Sequence, residues 1–479
     1  MRRITAATAL AAALLCGVST APAAEIGAND DTGKYLTDEG STLYGDMAAL
    51  GLRQVVLTTR YKPSDPLTIQ DKAQLDRTIP AAVTAGIRVV LAVYPYPPRE
   101  VEAGLASPAA FGGYVASVAA AFPEVRQFVV GNEPNQPAFW RPQFGRAGLN
   151  VSAAGFGPYL AAAYDSLKAV DSEITVVGVG LSPRGNDRPK AKSNVSTSPV
   201  RFLRALGAWY RASGRTLPLM DGFSFHPYPN KATDPLARGY AWPNAGFVNL
   251  VRIKQALWDA FHGTGQPTTT DGLTLHLDEV GWQVGTSGQP GYVGLENVVV
   301  TDELTQAGIY ADLIRRAACD ADVAEVSFFG FRDDGARTGF QAALQRLDGT
   351  SRPAAEAVRA AIADAAAGCR RLPMLWQPAN DVLDPSVAVM GGKSSSTKVR
   401  LRAGEDARAL VCVAARAARR GLHDRSVRSP GARCRAALLT GGRTLDVELA
   451  PMPRGGAGVE VAVELAAEAN RQRRTIVIR

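Results

Sequence analysis

Histidine and cysteine are scarce in this chain, whose 479 residues include four histidines and five cysteines. The histidines are His226, His262, His276 and His423, and no two of them lie close together in the sequence. An H-E-x-x-H pair and a cluster of paired cysteines, the usual zinc-binding patterns, are both absent. The sequence therefore gives no support for metal catalysis, and we expect neither a metal nor a cofactor.

Three other common motifs are incomplete. The G-G-K-S at 391–394 resembles half of a phosphate-binding loop, but Val387 stands where its first glycine belongs. The G-V-G at 178–180 has Pro183 in place of the third glycine of a dinucleotide fingerprint. The G-F-S-F-H at 222–226 lacks the closing glycine of a serine-hydrolase elbow. These patterns do not favour a nucleotide-binding protein or a serine hydrolase.

Long apolar runs are missing after the first 24 residues, so we expect no transmembrane segment. Residues 1–24 combine two arginines, an Ala/Leu-rich core and small residues before Glu25, which predicts a signal peptide and a secreted protein, extracellular or in the cell envelope. Leu15 precedes Cys16 where a lipid-attachment site has a small residue, so export without an anchor is favoured. The other four cysteines suggest two disulfides. Three pairings are possible, and proximity in sequence favours Cys319–Cys369 and Cys412–Cys434.

The net charge of +8 is unevenly distributed. Residues 25–369 carry 31 Lys+Arg against 35 Asp+Glu, whereas residues 370–479 carry 20 against 10. The basic segment could bind an anionic cell-wall polymer or a membrane surface, although arginines on exposed strand faces are as often solubilising. We expect no nucleic-acid partner.

Short apolar runs alternate with longer helical stretches from residue 25 to 368, which indicates βαβ units and a parallel sheet. The predicted strands are 26–30, 53–59, 88–94, 127–132, 175–181, 222–228, 274–282 and 324–331. The predicted helices are 42–49, 69–85, 108–122, 154–169, 198–212, 247–262, 301–318 and 353–367. Eight units favour a closed (β/α)8 TIM barrel over a doubly wound open sheet.

A different pattern begins after residue 368, with short β-like pieces at 387–390, 398–402, 410–413, 435–439, 445–449, 459–465 and 475–478. Turns rich in Gly, Ser and Pro separate them, which predicts a small β-sandwich. We therefore expect a signal peptide at 1–24, a catalytic barrel at 25–369 and a basic β-rich domain at 370–479, with a linker near 370–377.

The barrel's predicted strand ends place two glutamates at its mouth, where the active sites of such barrels lie. The fourth strand ends in F-V-V-G-N-E-P-N at 128–135 and carries Glu133. The seventh, L-T-L-H-L-D-E-V-G-W at 273–282, carries Glu279. If Leu275 and Leu277 fill the barrel interior, Glu279 stands above them and Asp278 faces the helices. Two such carboxyls are what glycosidic cleavage needs, one as proton donor and one as nucleophile.

These motifs resemble those of clan A glycoside hydrolases, which are (β/α)8 barrels with catalytic glutamates on strands four and seven. The resemblance covers residues 26–367 and is carried by N-E-P at 132–134, H-P-Y at 226–228, E-V-G-W at 279–282 and L-D-G-T-S-R-P-A at 347–354. It implies that Glu133 is the acid/base and Glu279 the nucleophile. It also implies that Tyr228 donates to Glu279 and that Asn132 binds the sugar 2-hydroxyl.

Further assignments are less specific. Arg60 is predicted to help hold Glu279 and His226 to orient a hydroxyl, although each has a structural alternative. Asn132 and Glu133 are neighbours, so both reach one sugar only if the strand end is distorted. The eighth strand has Phe329 to Arg332 where many clan members have a tryptophan, so Trp282, Trp140 or Trp242 would supply the stacking face.

The predicted function is that of a secreted retaining β-glycosidase acting on an oligo- or polysaccharide by double displacement. The alternative is a catalytically silent barrel protein that binds carbohydrate or a cell surface through its basic C-terminal domain.

Overall fold

The structure, a computed structural model, describes residues 24–296 and 298–369 and seven shorter ranges near the C-terminus. These ranges are 386–390, 397–403, 407–415, 433–440, 443–449, 459–467 and 473–478. Residues 1–23 of the predicted signal peptide, with Cys16, and the predicted linker at 370–377 lie outside the described residues.

Eight parallel strands close into a barrel in chain order. They are β1 (Glu25–Asn29), β2 (Gln54–Tyr61), β3 (Arg88–Pro95), β4 (Gln127–Val130), β5 (Thr175–Leu181), β6 (Gly222–Phe225), β7 (Thr274–Val280) and β8 (Val323–Phe329). Closure is complete because β1 pairs with both β2 and β8. The prediction of a closed barrel rather than an open sheet is confirmed.

Helices connect the strands. They are α1 (Ser41–Ala49), α2 (Lys72–Thr84), α3 (Pro98–Glu102), α4 (Pro108–Ala121), α5 (Ser152–Val170), α6 (Pro199–Ser213), α7 (Leu250–Phe261), α8 (Glu303–Ala317) and α9 (Pro353–Ala366). Local sequence sets several starts: Ser107 accepts the backbone N–H of Ala110 ahead of α4, and Asp302 accepts that of Thr305 at the start of α8. Proline stands at the first position of α4, α6 and α9, where no intrahelical N–H is needed.

The two faces of the strands have different contents. One face packs against the helices in a large apolar core. The other points into the barrel, where a separate small cluster consists of Val56, Val90, Ala92, Val129 and Val177. These side chains form the floor beneath the mouth of the barrel.

A polar layer lies below that floor, near the N-terminal ends of the strands. Gln127 receives a hydrogen bond from Arg88 at 2.8 Å and donates one to Glu325 at 3.0 Å. His276 Nδ1 lies 3.0 Å from Glu325 Oε1. Burial alone would raise the pKa of Glu325, but His276, Arg88 and Gln127 lower it to about 2. The lower interior of the barrel is therefore bound together by a buried ionic network.

In the described ranges after the barrel, seven strands form two antiparallel sheets. They are β9 (Ser386–Met390), β10 (Thr397–Arg402), β11 (Ala407–Ala415), β12 (Arg433–Leu439), β13 (Thr444–Leu449), β14 (Val459–Ala467) and β15 (Arg473–Ile478). The sheet orders are β13-β10-β9 and β12-β11-β14-β15, and residues of both sheets share one apolar core. The predicted sandwich-like region is confirmed.

Two disulfides join Cys319 to Cys369 and Cys412 to Cys434, which confirms the favoured pairing. The first ties the end of α8 to the residues after α9, and the second links the neighbouring strands β11 and β12. Among the described helices, none has both the length and the apolar composition to cross a membrane.

Candidate active site

A cleft of about 1060 Å³ opens at the C-terminal ends of the barrel strands. Its walls include the ends of β1, β2, β3, β4, β7 and β8 and the loops after β5 and β6. Glu133, Glu279, Asn132, Tyr228 and Arg60 all line it. Five of the seven site residues that the sequence predicts therefore line one cleft, and a sixth, His226, contacts both glutamates from beneath it.

Glu133 lies beyond a strand that ends early. β4 stops at Val130, and the chain then takes positive φ angles at Gly131 (109°) and Glu133 (41°). A side chain at position 131 would meet the Phe156 ring and the Val179 carbonyl oxygen, each at 2.7 Å, so only glycine fits there. The backbone N–H of Glu133 donates to the carbonyl oxygen of Gly180 at 2.7 Å. The strand end is thus distorted, which is the condition predicted for Asn132 and Glu133 to reach the same sugar.

Asn135 fixes the turn that carries Glu133. Its buried side chain donates to the carbonyl oxygens of Ser182 at 3.1 Å and Thr197 at 2.9 Å, and accepts from the Ser182 N–H at 3.0 Å. Its hydrogen-bonding groups are therefore used in clamping the loop after β4 to the loop after β5. Asn132, half-buried between Gly131 and Glu133, faces the cleft.

Glu279 reaches the cleft by a different route from the one predicted. Leu275 and Leu277 belong to the helix-facing core, while Asp278 is buried on the inner side, where the Ser224 hydroxyl donates to it. The predicted parity was wrong because β7 is irregular: Leu277 pairs with Val326 but Val280 pairs with Phe328. Three steps along β7 thus match two along β8, and the added residue lets Asp278 and Glu279 both point inward.

His226 lies between the carboxylates. Its Nδ1 is 3.2 Å from Glu133 Oε1 and 3.5 Å from Glu279 Oε2, and its Nε2 is 3.5 Å from Asp278 Oδ1. Burial by itself would lower the pKa of His226, but the charges of Glu279 and Asp278 raise it well above its ordinary value. A protonated ring donates from both nitrogens, so His226 can hold all three carboxylates in place.

Two further side chains hold Glu279. The Tyr228 hydroxyl donates to Oε2 at 3.0 Å, and Asn29 Nδ2 donates to Oε1 at 3.4 Å. Burial raises the pKa of Glu279 to about 7, with Glu133 and Asp278 adding to the rise, while His226 and Tyr228 oppose it. The hydrogen bond predicted from Tyr228 is present, but burial outweighs its effect.

Arg60 and Trp282 have surroundings other than those predicted. Arg60 Nε donates to the Tyr94 hydroxyl at 3.1 Å, and no ion pair between Arg60 and Glu279 forms in the described part of the chain. Trp282 is 2% exposed, and its indole N–H donates to the Asp234 carbonyl oxygen at 2.9 Å. The Trp282 ring therefore belongs to the packing of the barrel and offers no open face to a sugar.

The aromatic walls of the cleft come from tyrosine and phenylalanine. Trp140 packs against Phe156 and Tyr159, and the guanidinium of Arg204 lies 5.5 Å from the ring of Trp242. Neither tryptophan lines the cleft. The rings that do so are Tyr35, Tyr94, Phe139, Tyr228, Phe329 and Phe340.

Three contributors were not identified from sequence. Asn29 was not singled out from the sequence, and its position at the end of β1 was the available signal. Asp278 was assigned to the wrong face, since the irregularity in β7 leaves no recognisable mark in the sequence. Asn135 lies in the motif but acts through distant loops, which only the folded chain brings together.

At the sequence level, no family model and no curated protein matches the chain. Among solved structures, a family 39 glycoside hydrolase of Bacteroides cellulosilyticus WH2 is similar, with 15% identity, coverage of 89% of this chain and 81% of that one, and a TM-score of 0.46. A glucosidase of Croceicoccus marinus is 12% identical, with coverage of 92% of this chain and 95% of that one and a TM-score of 0.47. A monomeric β-xylosidase of Caulobacter crescentus CB15 is 14% identical, with coverage of 92% of this chain and 95% of that one and a TM-score of 0.44. At such identities and TM-scores these likenesses carry no argument about activity, which rests on the site itself.

Proposed function

We propose that this chain is an exported retaining glycoside hydrolase that cleaves β-glycosidic bonds, with Glu279 as nucleophile and Glu133 as acid/base. The observation that carries the proposal is that both glutamates, delivered by opposite parts of the barrel, contact one nitrogen of His226 in an aromatic-lined cleft. Export is supported by the N-terminal pattern and by two disulfides.

The separation of the carboxylates favours retention over inversion. Their nearest oxygens lie 3.2 and 3.5 Å from His226 Nδ1, so they are no farther apart than the sum of these distances. The ~5–5.5 Å separation at which the second carboxyl of a retaining enzyme acts as nucleophile lies within that limit. Direct attack by one carboxylate is the chemistry that fits.

In the first step Glu279 attacks the anomeric carbon while the bond to the leaving oxygen breaks, and Glu133 gives its proton to that oxygen. A glycosyl ester of Glu279 results. In the second step Glu133 takes a proton from water, the water oxygen bonds to the anomeric carbon, and Glu279 leaves as a carboxylate. Asn132, next to Glu133, binds the 2-hydroxyl in this proposal, where contacts strengthen in the transition state.

The test uses Glu133→Gln and Glu279→Gln with a panel of aryl β-glycosides. Each variant should lower kcat by at least about 10³-fold with the fold intact by circular dichroism, because each removes a group that makes or breaks a bond. Glu173→Gln, an exposed glutamate ahead of β5 at the opposite end of the barrel, is the matched control. Full turnover in either active-site variant would contradict the assignment.

Stereochemistry gives a second, independent measurement. Proton NMR of the first sugar released should show the β-anomer before mutarotation, and a slow 2-fluoro glycoside should leave its glycosyl group on Glu279 by peptide mass mapping. An α-anomer as the first product would overturn the double-displacement proposal.

The second candidate function is a silent barrel protein that binds a carbohydrate or a cell surface through its C-terminal part. The excess of 20 Lys+Arg over 10 Asp+Glu in residues 370–479 favours it. Some of this charge is used internally, since Lys398 and Arg400 both pair with Asp446. This candidate predicts that the full chain sediments with isolated cell walls and releases no sugar. Release of sugar would exclude a catalytically inactive binding protein.

A further inference from the structure

Four basic side chains line the cleft, namely Arg60, Arg184, Lys231 and Arg332. Within the described ranges, none of them has a carboxylate oxygen within 4.0 Å. The three arginines are held by neutral groups instead: Arg60 by Tyr94, Arg184 by the Asn230 side chain at 3.2 Å, and Arg332 by the Gln345 side chain at 3.0 Å. The positions of these cations are fixed without neutralising their charge.

The acidic side chains of the cleft outside the catalytic group are mostly committed elsewhere. Asp30 accepts three backbone N–H groups, Asp31 contacts the buried Lys34 at 3.1 Å, and Asp333 accepts from Arg352 at 2.8 Å. Asp334, exposed at the rim, accepts the backbone N–H of Ala336. The unpaired cations stand out because residues 25–369 as a whole carry an excess of acids.

Arg60 is the most strongly positioned of the four. Its guanidinium carbon lies 5.0 Å from the ring centroid of Tyr96 and 5.9 Å from that of Tyr94, and its Nε donates to the Tyr94 hydroxyl. Among described residues its two terminal amino groups make no hydrogen bond, and the residue is exposed at the cleft wall. A planar guanidinium held beside two aromatic rings, with its terminal donors open, matches the two oxygens of a carboxylate.

The other cations extend the pattern across the cleft. Arg184 comes after β5 and Lys231 after β6, whereas Arg60 ends β2. Because β2 and β6 are four strands apart in a closed ring of eight, these cations lie on opposite sides of the barrel mouth. A ligand that crosses the mouth therefore passes between two positively charged walls, with the catalytic group beneath it.

We propose that the substrate is an acidic saccharide bearing carboxylate groups, with Arg60 as the main anchor on one wall and Arg184 and Lys231 as the second contact. This inference rests on the proposed function and names its substrate class. Fixed, unpaired cations repel one another, and a carboxylate-bearing sugar offsets that repulsion where a neutral sugar does not. Arg60 is thus assigned a specificity role rather than a role in holding Glu279.

The experiment compares matched substrates that differ only in charge. kcat/KM is measured for aryl β-glucuronide against aryl β-glucoside, and for uronate-containing β-linked oligosaccharides against their carboxyl-reduced forms. The wild type should prefer the acidic member of a pair. Arg60→Gln should reduce that preference by roughly 10–100-fold, the worth of a charged hydrogen bond, and Arg60→Lys should restore part of it. Arg77→Gln, an exposed arginine of α2 outside the cleft, is the control.

A binding measurement separates this inference from the proposed activity. Calorimetry with the Glu133→Gln variant should show tighter binding of the acidic oligosaccharide than of its reduced form, and the difference should shrink as salt is raised. If the acidic oligosaccharide binds in this way but the wild type does not cleave it, the proposal of an acidic ligand stands and the proposal of glycosidase activity is overturned. Equal rates and equal binding for acidic and neutral members would overturn the acidic substrate alone. Equal losses on both members in Arg60→Gln would overturn the assignment of Arg60 as the anchor. A preference for sulfated sugars alone would contradict the proposal that the cations bind a carboxylate.

Discussion

Replacing Tyr228 by phenylalanine tests how the site keeps Glu279 ionised. The hydroxyl of Tyr228 donates to Glu279 Oε2 at 3.0 Å and stabilises the charged carboxylate. The ring packs edge-on against Phe329 and Phe340, with centroid distances of 6.1 and 5.3 Å, and phenylalanine keeps that packing. The substitution therefore removes one hydrogen bond and little else.

The size of the effect depends on the charge of the acceptor. A hydrogen bond to a charged group contributes about 1.5–3 kcal/mol, which corresponds to roughly one to two pKa units. Burial already raises the pKa of Glu279 to about 7. Since the proposed nucleophile acts as the anion, activity in the wild type should rise with pH along an acid limb whose midpoint is about 7. In Tyr228→Phe that rise should shift upward by one to two pH units, so that kcat/KM at pH 6 falls by roughly 10–100-fold.

The assay is the pH profile of kcat/KM with an aryl β-glycoside from pH 4 to 10. Tyr210→Phe is the matched control, because its hydroxyl donates to the Leu217 carbonyl oxygen on the outside of the barrel. Its profile should coincide with that of the wild type. An acid limb that stays in place in Tyr228→Phe would refute the idea that this hydroxyl sets the ionisation of Glu279.

Two further substitutions examine the frame around the site. Glu325→Gln should lower Tm at pH 7, because it leaves Arg88 and His276 without their buried partner. The native pKa of Glu325, about 2, lies below its ordinary value of 4.5, so its stabilising contribution is full above pH 4.5 and is lost as the pH falls toward 2. The Tm gap between variant and wild type should therefore narrow below pH 4.5 in thermal scans, and a constant gap would contradict this. Gly131→Ala should lower kcat at least tenfold by displacing Glu133, whereas Gly113→Ala on an open face of α4 should not, and equal activities would show that the turn is not strained.

The fold was largely predictable from the sequence because its signals are local. Eight apolar runs separated by helical stretches predicted the eight strands, and short β-like pieces predicted all seven strands of the C-terminal sheets. The ends of the strands were less accurate. β4 was predicted to run to residue 132 but ends at Val130, because Gly131 takes a conformation that interrupts a strand.

The sequence marked most residues of the candidate site but not their contacts. Glu133, Glu279 and Tyr228 are marked by short motifs, and the structure groups them as expected. The inward turn of Asp278 depends on pairing between β7 and β8, and the attachment of Arg60 to Tyr94 depends on two different strands. Such contacts are set by register and packing between distant segments, and single-strand alternation does not contain that information.

The Cys319–Cys369 disulfide has a consequence for how the C-terminal end of the barrel responds to proteolysis and to force. It fastens the residues after α9, the last helix of the barrel, to the end of α8, at the point where the chain leaves the barrel. A proteolytic cut beyond Cys369 therefore leaves α9 covalently attached to α8. A force applied to the chain beyond Cys369 is carried by the disulfide and does not separate α9 from the barrel. All eight barrel strands and this disulfide lie at or before Cys369, so we expect a chain that ends after Cys369 to keep its barrel closed.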